Sequence, residues 1–282
     1  MAEESFLDGL EITDQPVSGP YFGILYGPAG VGKSFLCQYA PNPFFIAVEK
    51  GVEKVPNVGR FTKNGQIVMP TDINQFFEML RYFVSKKHDY KTVVIDSGKF
   101  VDTLICADVI KNNPTETKHK QEIKIESIGD YNFGTGYTKA ISYWTRFIAG
   151  VDALNRRGIN VILIAHAHER NTTNINGDDY KKTKIDLLEF GSSSVPNLLY
   201  ARADWTYLMR SEAHTRTVKN AFGASKTIAQ SGGVPEITIY TRSTNSFDAK
   251  VRTGNIDNIP DAYEIDIRDE STSKQIFIDL EK

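Results

Sequence analysis

Four short runs of unbroken hydrophobicity constrain this chain more than any other feature. They are YFGILYG (21–27), FFIAVE (44–49), KTVVID (91–96) and INVILIAH (159–166). A strand with one wet face alternates apolar and polar residues, whereas a strand covered on both faces has no need to. Each run therefore reads as a buried strand of a parallel sheet. Helical patterns lie between and around them, at 32–40, 72–86, 97–111 and 137–157. Strand alternating with helix implies an α/β fold, with a mainly parallel central sheet flanked by helices. ADWTYLMR, HTRTVKNA and PEITIYTR then read as antiparallel strands added toward the C-terminus, through connections such as GASKTIAQSGG.

The remaining stretches are polar. Residues 1–19 form an acidic arm, 20–268 the α/β core and 269–282 a tail, whose TSKQIFIDLEK suits either a helix or a strand. Residues 112–136 and 168–184 read as long loops, the second as a hairpin or mobile segment. Loops of that length in a compact domain are functional or disordered.

A net charge of −2 over 282 residues excludes a uniformly basic nucleic-acid coat but leaves room for local basic loops. Cys37 and Cys106 sit in apolar stretches and read as small hydrophobes in a reducing compartment. The N-terminus has neither the basic nor the apolar region of a signal peptide, and no run is long enough to span a bilayer. A cytoplasmic protein with no membrane partner is expected.

GPAGVGKS (27–34) satisfies G-x-x-x-x-G-K-[ST] between an apolar strand and a helical pattern, the context the motif requires. Gly27, Pro28, Ala29, Gly30, Val31 and Gly32 would curl so that backbone N–H groups face phosphates, continuing into Lys33, Ser34 and Phe35 at the helix start. Lys33 would reach the β- and γ-phosphates, and Ser34 would ligate Mg²⁺. TVVIDS supplies a second magnesium carboxylate, Asp96, at a strand end. Asp96 and Ser97 also suit a helix N-cap. Glu49 follows the strand after the loop and its helix, where a carboxylate could act as general base toward the water attacking ATP. His166 ends the fourth run. His166-Ala167-His168-Glu169 could instead be half a zinc site, or His166 could simply be a satisfied strand-end histidine.

GPAGVGKS, AVEK, VVIDS, LIAH and DAKVRTGN together resemble the RecA superfamily. The likeness is strongest to phage-encoded single-strand annealing ATPases with a short RecA-like core. It covers about residues 20–268 and includes YNFGTGYTKAISYW and the late AKVRTG. The resemblance implies a RecA-like P-loop NTPase fold with ATP and Mg²⁺ as cofactors. Glu49 would be the catalytic glutamate and His166 the γ-phosphate sensor. Lys250 and Arg252 would act on a neighbouring subunit's ATP, so the chain would be a head-to-tail homo-oligomer, ring or filament.

It also implies that the loops after the Asp96 helix and the His166 strand line a single-stranded DNA channel. The first carries Lys118, Lys120, Lys124, Tyr131, Phe133 and Tyr137; the second carries Arg170, Lys181, Lys182 and Lys184. Cations for the phosphates and aromatics for the bases are what such binding uses. Glu122, Glu126, Asp178 and Asp179 offset much of that charge, so a solvated loop fits the composition as well. The expected activity is a DNA-dependent ATPase promoting annealing or recombination in a bacterial host cytoplasm, with a single-strand DNA-binding protein as a further candidate partner. A ring helicase motor and a nucleotide-gated adaptor, recruiting partners through the 1–19 arm, remain the alternatives. A small-molecule kinase fits less well, because no arginine-rich lid is evident.

Overall fold

The computed structural model describes residues 13–14, 19–118, 120–172, 177, 179–212, 215–219, 225–229, 236–252 and 256–281. Most of the 1–19 arm, Asp178 and the end of DAKVRTGN lie outside them. The principal elements in chain order are β1 (Phe22–Gly27), α1 (Lys33–Leu36), β2 (Pro43–Ala47), β3 (Gly59–Arg60), α2 (Ile73–Ser85), β4 (Thr92–Asp96), α3 (Gly98–Asn112) and α4 (Thr135–Asn155). They continue with β5 (Asn160–Thr172), β6 (Tyr180–Ile185), α5 (Val195–Arg202), β7 (Trp205–Glu212), β8 (Glu236–Tyr240), β9 (Lys250–Val251), β10 (Ala262–Ile265) and α6 (Glu270–Glu281).

The main sheet runs β10-β8-β7-β1-β5-β4-β2-β3, with β6 paired to β5 and β9 to β7. From β3 to β7 the neighbours are parallel; β6, β8, β9 and β10 are antiparallel additions. The continuous hydrophobic runs have the cause expected of them. In β4, Val93 and Ile95 enter the core beneath α2, α3 and α4, while Val94 enters the opposite core with Leu36 of α1 and Phe277 of α6. Asp72 caps α2 by accepting from the N–H groups of Asn74 and Gln75 (2.9 and 3.0 Å). Ile73, Phe76, Phe77, Leu80 and Phe83 form its buried stripe.

Several boundaries differ from the sequence reading. The helix expected over 32–40 is one α-turn followed by a 3-10 turn, Cys37–Tyr39, because Ala40 precedes a proline and turns extended. Residues 112–136 are not an unstructured loop: Thr115–Lys118 and Gln121–Lys124 form a hairpin. The second excursion takes the hairpin form, one of the two read from its sequence, with β5 continuing past His166 to Thr172 and pairing antiparallel with β6. GASKTIAQSGG contains a strand, Ser225–Ala229, paired with Thr215–Lys219. The tail resolves as helix α6.

Candidate active site

The parallel register places the ends of four strands in one row. Gly27 of β1 lies opposite His166 of β5, Asp96 of β4 opposite Ile164, and Ala47 of β2 opposite Asp96. The strand bearing His166 thus sits between the phosphate-loop strand and the strand bearing Asp96. Two glycines of the loop have structural necessity. A Cβ on Gly27 would come within 2.1 Å of the Met209 carbonyl oxygen of β7, and Gly32 has φ +102° with a Cβ position 2.3 Å from Ile267.

Lys33 is buried and donates to the carbonyls of Gly27 and Pro28 (2.9 and 2.7 Å). Burial lowers its pKa, opposed by the carboxylates of Asp96 and Glu49. Ser34 donates its hydroxyl to Asp96, which is 5% exposed. Burial raises the Asp96 pKa to about 6, against the Ser34 hydrogen bond and the Lys33 charge and with Glu49 adding to the rise. Pro28, Ala29 and Gly30 are exposed, Val31 is in the core, and the Phe35 ring meets Tyr39 edge-on.

The backbone N–H groups of Val48 and Glu49 both donate to the Asp96 carbonyl (2.8 and 3.3 Å), which fixes the exit of β2 beside Asp96. Glu49 Oε1 then lies 3.8 Å from His166 Nε2. A hydroxyl, a buried carboxylate, a second carboxylate and an imidazole therefore converge beside the loop. Hard oxygen donors at Ser34 and Asp96 fit Mg²⁺.

The zinc alternative finds no ligand set. Among the described residues no group of three or more His, Cys, Asp or Glu side chains could hold a metal ion. His166 faces Glu49, whereas His168 Nε2 accepts from Arg170 Nε (2.6 Å) and its Nδ1 is 3.7 Å from Asp186. Burial, with Arg170 next, lowers the His168 pKa.

Beyond His166 the segment that follows β6 packs against α3 and the start of α4. Asp186 donates its N–H to the His166 carbonyl (2.8 Å), and Asp102 of α3 accepts from Leu188 N and Trp144 Nε1 (2.8 Å each). Burial lifts the Asp102 pKa to about 7 despite those bonds. Phe190 stacks on Tyr137 (5.1 Å, 17°), and Phe133 next to them is 99% exposed. Sequence reasoning did not single out Phe190, an isolated aromatic in LLEFGSS.

The other expected DNA-contact residues divide. Tyr131 is a correction: its ring is 3% exposed and its hydroxyl donates to Val109 and Asn113 carbonyls, so it packs the loop onto α3 instead of facing a base. Lys118 bonds the Asp130 carbonyl, Arg170 pairs with Glu189, and Lys182 pairs with Asp248. Lys124 and Lys181 make only exposed pairs, with Glu126 and Glu169. Lys120 occupies the hairpin turn with φ +67°, and Lys184 lies across from His168 in the hairpin.

Lys250 and Arg252 stand far from their own phosphate loop. Lys250 pairs with Thr206 near the start of β7, four residues and about 13 Å of strand before Arg210 at the loop end. Lys250 bonds the Tyr200 carbonyl, and Arg252 bonds that of Ala201 (3.1 Å). Burial, then the Arg252 charge, brings the Lys250 pKa down to about 8.

Fold and site together define a P-loop nucleotide-binding ATPase domain. The family model for the AAA domain matches residues 20–253, and the chain belongs to that family. No curated protein matches it. Such domains bind nucleotide, typically with Mg²⁺, and generally hydrolyse ATP. Among the described residues no helix is long and apolar enough to cross a membrane.

Proposed function

We propose that the chain is a RecA-type, DNA-dependent ATPase that binds single-stranded DNA as a homo-oligomer and promotes annealing or recombination. The observation that carries the proposal is the Glu49–His166 pair at 3.8 Å, with His166 on β5, whose continuation is tied through Arg170 to Glu189 beside the Phe190–Tyr137 stack. Bound Mg²⁺ would be held by Ser34 and Asp96 and would neutralise charge on the β- and γ-phosphates. Glu49 orients the attacking water and accepts its proton. His166 reports the terminal phosphate to β5, and Asp186 N–H on its carbonyl carries that report toward Leu188–Phe190.

Lys250 and Arg252 are too far from their own loop to serve it, which supports their use on a neighbour's nucleotide. The exposed Phe133 ring and the Tyr137–Phe190 stack supply stacking surface, and Lys120, Lys124 and Lys181 supply charge in the same excursions. Contact with DNA is then sequence-independent and weakens with salt.

The test is ATP turnover with and without single-stranded DNA, for wild type and Arg252→Ala, with particle mass followed in parallel. DNA stimulation that Arg252→Ala abolishes, with DNA binding retained, supports the proposal. Turnover indifferent to both DNA and the substitution overturns it in favour of a nucleotide-gated adaptor.

A further inference from the structure

β7 lies parallel against β1, with Leu208 opposite Tyr26 and the Met209 carbonyl packed on Gly27. Arg210 comes next, beside the start of the phosphate loop. It lines a cavity of about 490 Å³ whose walls include Pro28, Ala29 and Gly30 on one side and Ala167, His168 and Thr183 on the other. Its guanidinium donates to the Thr183 hydroxyl and rests over the Phe247 ring (5.6 Å). Among the described residues no carboxylate forms an ion pair with it. Asp248, the acid near Tyr26, is taken by Lys182, and Glu169 on the cavity wall is paired with Lys181. A half-buried guanidinium facing a cavity without a counter-ion is suited to an incoming anion. Pro28, whose carbonyl accepts from Lys33, borders the same space.

We propose that Arg210 is a second phosphate-binding cation of the nucleotide site, supplied by the chain's own β7. On binding of a nucleoside triphosphate its guanidinium exchanges the neutral Thr183 hydroxyl for an oxygen of the terminal phosphate. It serves from within the subunit, distinct from Lys250 and Arg252, which lie on and just after β9 beside the far end of β7. The inference rests on the nucleotide-site reading and adds to it a reason to prefer triphosphate over diphosphate. Because Thr183 belongs to β6, the exchange also releases one tie between β7 and the hairpin that continues β5.

The test is binding of a non-hydrolysable ATP analogue and of ADP to the full chain, for wild type, Lys33→Ala, Arg210→Ala, Arg210→Lys and Thr183→Val, with melting temperature recorded. Loss of one charge-assisted contact predicts that Arg210→Ala weakens the triphosphate analogue about 10- to 100-fold and leaves ADP within about threefold. Arg210→Lys, which keeps the charge and the stem, recovers part of that loss. Thr183→Val binds the analogue at least as well as wild type, because the competing hydroxyl is gone. Equal weakening of both nucleotides, or no weakening, overturns the role of Arg210. If Lys33→Ala also binds as wild type, the nucleotide site itself is misassigned, an outcome distinct from failure of Arg210 alone.

Discussion

Replacing Asp96 by Asn should make the ligand-free protein more stable while abolishing ATP turnover. The carboxyl is 5% exposed, and burial lifts its pKa from 3.8 to about 6. Below the unfolded value both states are protonated and Asp96 costs the fold nothing. As pH rises between the two values the unfolded chain ionises first, so stability falls until the folded carboxyl has ionised as well. Two units of displacement at ~1.4 kcal/mol each correspond to about 3 kcal/mol near pH 7.5 and about 1 kcal/mol near pH 4.5.

Asn keeps the shape, and its carbonyl can accept the Ser34 hydroxyl, but it carries no buried charge. Losing the attraction to Lys33 offsets part of the gain, leaving about 1–3 kcal/mol near neutrality. Urea unfolding of wild type and Asp96→Asn across pH measures the difference directly. A variant that is less stable at neutral pH, or a gap that does not narrow on acidification, would refute the account of Asp96 as a carboxylate held ionised against its surroundings. Stability surrendered at such a position is expected where a buried charge serves function.

Further predictions concern the excursions and the subunit boundary. Phe133→Ala should weaken single-stranded DNA binding by about 1–3 kcal/mol with an unchanged melting temperature, since the ring is 99% exposed. Tyr131→Ala should instead lower stability by about 3–5 kcal/mol in denaturant unfolding, because it empties a core site. Mixing Arg252→Ala with Glu49→Gln subunits should restore some turnover that neither shows alone, and a mixture as inactive as its components would count against a shared site.

The part of the site legible in the sequence is the part set by covalent spacing and strand ends. Lys33, Ser34 and Asp96 follow from the loop and from an apolar run closing on an acid, and Glu49 and His166 mark the ends of two runs that the parallel register aligns on either side of β4. Arg210 was not legible. Within ADWTYLMR it is one polar residue in a strand, and its place beside Pro28 arises only when β7 pairs with β1.

The hairpin of β5 and β6 was legible only as one of two alternatives, because HERNT and its partner YKKTKI are mostly polar, with Ile185 entering the core, and carry no apolar alternation to announce a strand. Tyr131 and Phe133 show the limit of composition: both are aromatics near glycine in YNFGTG, yet one is packed on α3 and the other points away from the core. Which ring turns inward depends on the carbonyls of Val109 and Asn113 waiting for a hydroxyl, and that is a tertiary fact.

The most direct test of the central claim is single-turnover ATP hydrolysis by wild type and Glu49→Gln, with nucleotide affinity measured on the same samples. Gln keeps the size and cannot accept the water's proton. Hydrolysis should fall by about 10²- to 10⁴-fold while ATP affinity stays within about threefold. Unchanged hydrolysis in Glu49→Gln, with ATP bound as tightly as before, would contradict the assignment of the base and with it the proposed catalytic centre.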